Sequence, residues 1–166
     1  MLATGDYIGL YRIEEQIGMG GMAVYRAYHE KLDRYVTIKI LHQLMQNDPA
    51  FRARFQREAR IIARLEHPNL VTVYDFSEYE GQPYLVMKHI DGRTLTDVMN
   101  AGRLTLDETI SLMQPVADAL TYAHSKGVLH RDIKPINIII DQRGVPYIAD
   151  FGLARMTQSG ESTMSA

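Results

Sequence analysis

β-branched and aromatic residues crowd the first forty positions in three runs. Tyr11, Ile13 and Ile17 place a first strand, Val24-Tyr25-Arg26-Ala27-Tyr28 a second, and Tyr35-Val36-Thr37-Ile38-Lys39-Ile40-Leu41 a third. Gly18-Met19-Gly20-Gly21 and Lys31-Leu32-Asp33-Arg34 separate them. The period then changes. Asp48 as N-cap and Pro49 in the first helical position predict a helix to about Leu65, stopped by His67-Pro68-Asn69. Strands return at about 71–76 and 84–87, joined by a turn at Glu80-Gly81-Gln82-Pro83.

Beyond residue 90 the pattern is mainly helical. A short helix is expected over 94–100, and Thr105-Leu106-Asp107-Glu108 is a capping box opening a longer one. Ile110, Met113, Ala117, Leu120 and His124 keep helical spacing. Pro115 should kink this helix, and Lys126-Gly127 should close it. Residues 138–140 and 145–149 then read as a hairpin across Asp141-Gln142-Arg143-Gly144. A β-rich front with one helix, followed by a helical back half, predicts an α+β fold in two parts.

Composition narrows the classes. The chain has 166 residues, 46% of them hydrophobic, a net charge of −2 and no cysteine. That balance gives no global attraction to nucleic acid or membrane, and the missing thiols exclude disulfides and Cys-based metal sites. No apolar run reaches the roughly 18 residues of a membrane span, and the first residues carry no signal-like pattern. The expected location is therefore cytoplasmic.

Three clusters carry candidate chemistry. Gly18, Gly20 and Gly21 lie between two strands rather than before a helix, which excludes a dinucleotide fingerprint or P-loop. Bare backbone there can lie over phosphates without Cβ clashes; a plain hairpin is the alternative. On the helix from Pro49, the residues Phe51, Phe55, Ile62 and Leu65 fall within roughly 40° of one direction, and Glu58 sits mid-stripe. A carboxylate there costs several kcal/mol unless paired. Lys39, interrupting an apolar strand, is its natural partner. The third cluster is His130-Arg131-Asp132-Ile133-Lys134-Pro135-Ile136-Asn137, with Asp150-Phe151-Gly152 thirteen residues after Asn137. Asn137 and Asp150 are hard oxygen donors suited to Mg²⁺, Asp132 can accept a hydroxyl proton, and Lys134 can neutralise a phosphoryl group in transfer.

These motifs, at these spacings, resemble those of the eukaryotic-type Ser/Thr protein kinases, in particular their bacterial branch, across residues 11–166. The resemblance implies a complete β-rich N-lobe over about 11–90 with one C-helix, part of a helical C-lobe over about 91–166, and an N-terminal extension at 1–10. It implies ATP and Mg²⁺ as cofactors and γ-phosphoryl transfer to protein Ser/Thr hydroxyls. Asp132, Lys134, Lys39 and Glu58 become the catalytic set, and Asn137 and Asp150 the metal ligands. Ile17, Gly18, Met19, Gly20, Gly21, Met22, Ala23, Val24, Thr37, Lys39, Met87, Lys88, His89, Ile90 and Ile139 become the nucleotide contacts, 88–90 acting through backbone as a hinge. Ile62, Val73, His130 and Phe151 would stack as a spine. Partners are ATP, protein substrates and a second copy for autophosphorylation.

Departures from the family pattern are local. Thr37 stands where the family usually has Ala, and its hydroxyl and methyl are expected to crowd the base. Lys88-His89 replaces an acidic–aromatic pair, and Ile136 a small or acidic residue. No Ala-Pro-Glu follows Asp150-Phe151-Gly152, so the chain is expected to be a fragment ending in the activation segment, with an apolar helix face left bare. A catalytically inactive nucleotide-binding module is the alternative to an enzyme. Arg52, Arg54, Arg57, Arg60 and Arg64 on one helix fit a solvated face better than a nucleic-acid contact. Thr163, among five hydroxyl residues near the end, is the expected phosphorylation site, pairing with Arg131 and Arg54.

Overall fold

The computed structural model describes residues 2–19, 22–41 and 49–151. They fall into two compact units, one drawn from residues up to 63 and from Thr72–His89, the other from Arg64–Val71 and from Ile90 onward.

The first unit is a six-stranded antiparallel sheet in the order β1-β2-β3-β4-β6-β5, with one helix. Its strands are β1 (Tyr7–Ile8), β2 (Tyr11–Met19), β3 (Met22–His29), β4 (Arg34–Leu41), β5 (Val73–Tyr79) and β6 (Gln82–Lys88). Alternation on β4 decides the faces: Val36, Ile38 and Ile40 are buried with Ile13, Tyr25, Ala27, Tyr84 and Val86, while Thr37 and Lys39 point to the other face. Each such Val or Ile contributes about 1.5–3 kcal/mol through burial. Ile8 of β1 belongs to this core, so the segment ahead of residue 11 is integral to the sheet. The helix α1 (Pro49–Ile62) buries Phe55, Ala59 and Ile62, and the Phe55 ring lies 5.2 Å from Phe76 on β5.

That helix stops at Ile62, short of the expected Leu65. The reason is tertiary. Residues 64–71 pair within the second unit, where the Asn69 side-chain amide donates to the Pro146 carbonyl (2.8 Å) and Leu70 bridges Ile148.

The second unit holds a three-stranded sheet, β7 (Gly92–Thr94), β8 (Ile138–Asp141) and β9 (Pro146–Ile148), with helices α2 (Leu95–Ala101) and α3 (Leu106–Ser125). β7 is absent from the hydrophobic pattern because Gly-Arg-Thr alternates nothing. Its glycine is obligatory for space: a Cβ on Gly92 would stand 2.1 Å from the Ile140 carbonyl oxygen. Both helices open on capping boxes, Thr94 with Asp97 and Thr105 with Glu108. α3 runs through Pro115 as one element and ends at Lys126 with Gly127 at φ 73°.

The apolar face of α3 that the sequence leaves bare is mostly exposed. The buried residues are Val116, Ala119 and Ala123, whereas Ile110, Met113, Ala117 and His124 are exposed and Leu120 is half-buried. The contact face lies about 100° round the helix from that stripe. α3 packs against β9, and small side chains at 119 and 123 permit that approach.

Candidate active site

In the first unit, strand register gathers the predicted nucleotide residues onto one sheet face. Gly18 pairs with Val24, Val24 with Lys39, and Lys39 with Leu85, forming one cross-strand row. A Cβ on Gly18 would meet the Val24 Cβ at 3.3 Å, so glycine keeps this row close. The next row on the same face is Arg26, Thr37 and Met87. β2 carries bulges between Ile13 and Glu15 and between Gln16 and Gly18, which twist it as it enters the glycine turn. β2 and β3 still pair at Met19 and Ala23, so strands lie on both sides of the glycines as the sequence predicts. Ile17 is exposed, Met22, Ala23 and Val24 are half-buried, and Met87 is buried. Lys39 on β4 and Glu58 on α1 are both half-buried.

The segment after β6 departs from a purely backbone hinge. The Lys88 amide donates to the Thr72 carbonyl (2.9 Å), fixing the chain there. The Thr37 hydroxyl is hydrogen-bonded to His89 Nδ1 at 3.0 Å, so it is turned to a neighbouring side chain. The sequence reading gave the His89 side chain no role. The available signal was that 37 and 89 both depart from the family pattern.

The second unit builds a denser cluster. Asp132 bonds the Lys134 ammonium at 2.8 Å and receives the Asn137 side-chain amide at 3.2 Å, while the same amide donates to the Asp132 carbonyl at 2.8 Å. The Lys134 contact, aided by Asn137, holds the Asp132 carboxyl below the usual carboxylate range against the opposing effect of burial. Side chains of the pair are 30% and 50% exposed, so its value is orientation more than stability. Both bonds from Asn137 use Nδ2, which turns its Oδ1 oxygen away from Asp132.

β8 and β9 set the separation of the oxygen donors. Ile138 pairs with Ile148, and the Ala149 amide donates to the Asn137 carbonyl at 2.8 Å, placing Asp150 one residue beyond. Asp150 has φ 64° and Arg131 φ 67°, left-handed conformations that cost energy in non-glycine residues. Buried His130 ties the two segments: Nε2 donates to the Ala149 carbonyl (2.7 Å) and Nδ1 accepts from the Asp132 amide (3.3 Å). Those roles require a neutral ring, and burial accordingly pushes its pKa down. Phe151 packs edge-on against it at 4.6 Å. A carbonyl oxygen at 137 and a carboxylate at 150 are hard donors, a set that fits Mg²⁺ sharing waters and phosphate oxygens.

Ile90 is half-buried at the start of this unit, and Ile139 is half-buried on β8. Gly20, Gly21, the Met19 side chain, Thr163 and the Arg54 side chain lie outside the described positions, so the expected flap tip and phosphorylation switch fall there too. Arg57, Arg60 and Arg64 are exposed, as a solvated helix face requires.

A bilobal sequence pattern, a β-sheet unit with one helix, and an Asp–Lys–Asn cluster tied through His130 to Ala149 and Phe151 define a protein kinase fold. The chain belongs to the protein kinase family: the protein kinase domain profile matches residues 11–166. It is 44% identical over 148 residues to the probable serine/threonine-protein kinase PknB of Lactococcus lactis, covering 87% of this chain and 24% of that protein. It is 43% identical over 161 residues to the serine/threonine-protein kinase PrkC of Bacillus subtilis, covering 96% and 25%. The solved PknI kinase domain of Mycobacterium tuberculosis superposes with a TM-score of 0.82 at 34% identity, covering 92% of this chain and 63% of that one. The chain thus spans about a quarter of the length of the curated relatives it matches.

Proposed function

We propose that the protein is a serine/threonine kinase that transfers the γ-phosphoryl group of ATP to a protein hydroxyl. ATP and Mg²⁺ are the cofactors that membership of the family carries. The observation that carries the reading is the Asp132–Lys134–Asn137 cluster, held on a buried neutral His130. Asp132, ionised at neutral pH, accepts the proton of the attacking hydroxyl or orients it. Lys134, bonded to that carboxylate, neutralises charge on the phosphoryl oxygens. Lys39, supported by Glu58, binds the phosphates, and Gly18 with its flap covers them. Met87 and the backbone of 88–89 receive the base, with Val24 and Thr37 beside it on the same sheet face, and Ile90 and Ile139 are the second unit's contributions to nucleotide binding. Asn137 Oδ1 and Asp150 would hold Mg²⁺, which when bound screens charge between the β- and γ-phosphates. Catalysis is then positioning and electrostatics rather than covalent chemistry. An inactive nucleotide-binding module would not need the Asp132–Lys134 arrangement intact.

The test is phosphoamino-acid analysis of the intact protein with γ-labelled ATP, Mg²⁺ and a protein carrying Ser, Thr and Tyr. Phosphoserine and phosphothreonine, lost with Lys39→Met, are the expected products. Tight ATP binding without any transfer would replace the enzyme reading with the binding-module reading.

A further inference from the structure

The face of the sheet that carries Lys39 and Thr37 continues outward through a chain of side-chain contacts. The Glu15 carboxylate on β2 pairs with Arg26 on β3 at 3.2 Å. The Arg26 guanidinium lies 5.0 Å from the Tyr35 ring centroid on β4. Tyr35 faces the His89 ring at 6.4 Å between centroids, and His89 Nδ1 bonds the Thr37 hydroxyl at 3.0 Å. The chain of contacts runs from the strand entering the glycine turn to the segment following β6, and it passes through no main-chain hydrogen bond of the ladder. Its last link joins two positions, 37 and 89, that both depart from the family pattern.

We propose that Thr37 and His89 are a positioning pair that holds the chain leaving β6 at His89 against β4, so that nucleotide affinity depends on this side-chain bond. The proposal rests on the nucleotide reading of the same sheet face. Residue 37 therefore assists base binding, contrary to the crowding expected from its bulk alone. An alanine there frees space but releases His89, and the released segment must be reordered each time a base docks. One neutral side-chain hydrogen bond corresponds to about a three- to tenfold change in affinity.

The experiment titrates Mg-ATP into the intact protein by calorimetry and measures KM and kcat for ATP in the same variants. Thr37→Val, which keeps shape and loses the hydroxyl, should weaken ATP binding about three- to tenfold, moving KM more than kcat. Thr37→Ser should restore most of the affinity. His89→Phe should resemble Thr37→Val, and the double variant should be no worse than either single one. Thr37→Val or Thr37→Ala binding ATP as tightly as the wild type, or losses that add, overturns the pair while leaving the nucleotide site standing. Wild-type protein that binds no Mg-ATP overturns the nucleotide reading and the pair with it.

Discussion

Asp132 and His130 show how neighbours assign roles to single side chains. The Lys134 ammonium keeps the Asp132 pKa below the ordinary carboxylate value, so the carboxylate stays ionised well into acid. Loss of activity on mild acidification therefore comes from other groups. Lys134→Ala should lower kcat and shift the acid limb of the Asp132 titration upward, toward about pH 3.9; an acid limb that stays put would separate the two residues. His130 has the opposite linkage. Its folded pKa lies below the unfolded value of about 6.5, so the unfolded chain binds the extra proton as pH falls. Its contribution to stability is full above that pH and is lost progressively below it. His130→Gln should flatten the drop in urea midpoint between pH 7.5 and 5.5, and an unchanged slope would place the titrating group elsewhere. For Lys39 and Glu58, a double-mutant cycle on ATP affinity with Lys39→Met and Glu58→Gln should give non-additive losses. Simple additivity would mean that the two act apart.

Elements were legible where local chemistry decides them. The capping box at Thr105 and Glu108 set the start of α3, and Gly127 marked its end, because both ends are fixed by adjacent residues. Thr105→Ala should cost about 1 kcal/mol in chemical denaturation. What the pattern missed depends on distant partners. β7 has no apolar alternation and exists because Gly92 lets its backbone close on Ile140. Gly92→Ala should therefore destabilise by roughly 1–3 kcal/mol, although an exposed glycine invites that change; a neutral result would contradict the close approach. On α3 the spacing of Ile110 and Met113 shows a stripe that stays exposed, while contact with β9 selects small Ala119 and Ala123, which no hydrophobic pattern states. At the candidate site, the sequence puts Asp132, Lys134 and Asn137 in one short loop, and the structure bonds the three together. The Thr37–His89 bond spans 52 residues, and no local signal states it.

On the scale of the whole molecule, each compact unit carries its own part of the proposed chemistry. The first holds Gly18, Val24, Thr37, Lys39 and Glu58, and the second holds Asp132, Lys134, Asn137 and Asp150. Large apolar side chains stay outside both cores, with Leu106 at 74% and Ile110 at 52% exposure. Ile110→Lys should change the stability of this 166-residue chain by no more than about 0.5 kcal/mol and raise its solubility. Among the described residues, no helix is long and apolar enough to cross a membrane. The proposed function depends on Asp132 serving the transfer of the phosphoryl group. Single-turnover transfer from γ-labelled ATP by the intact protein, wild type against Asp132→Asn, measures this directly. The account predicts a fall of about 10²–10⁴-fold in the transfer rate with ATP binding retained. An Asp132→Asn protein that transfers phosphate at the wild-type rate would contradict it.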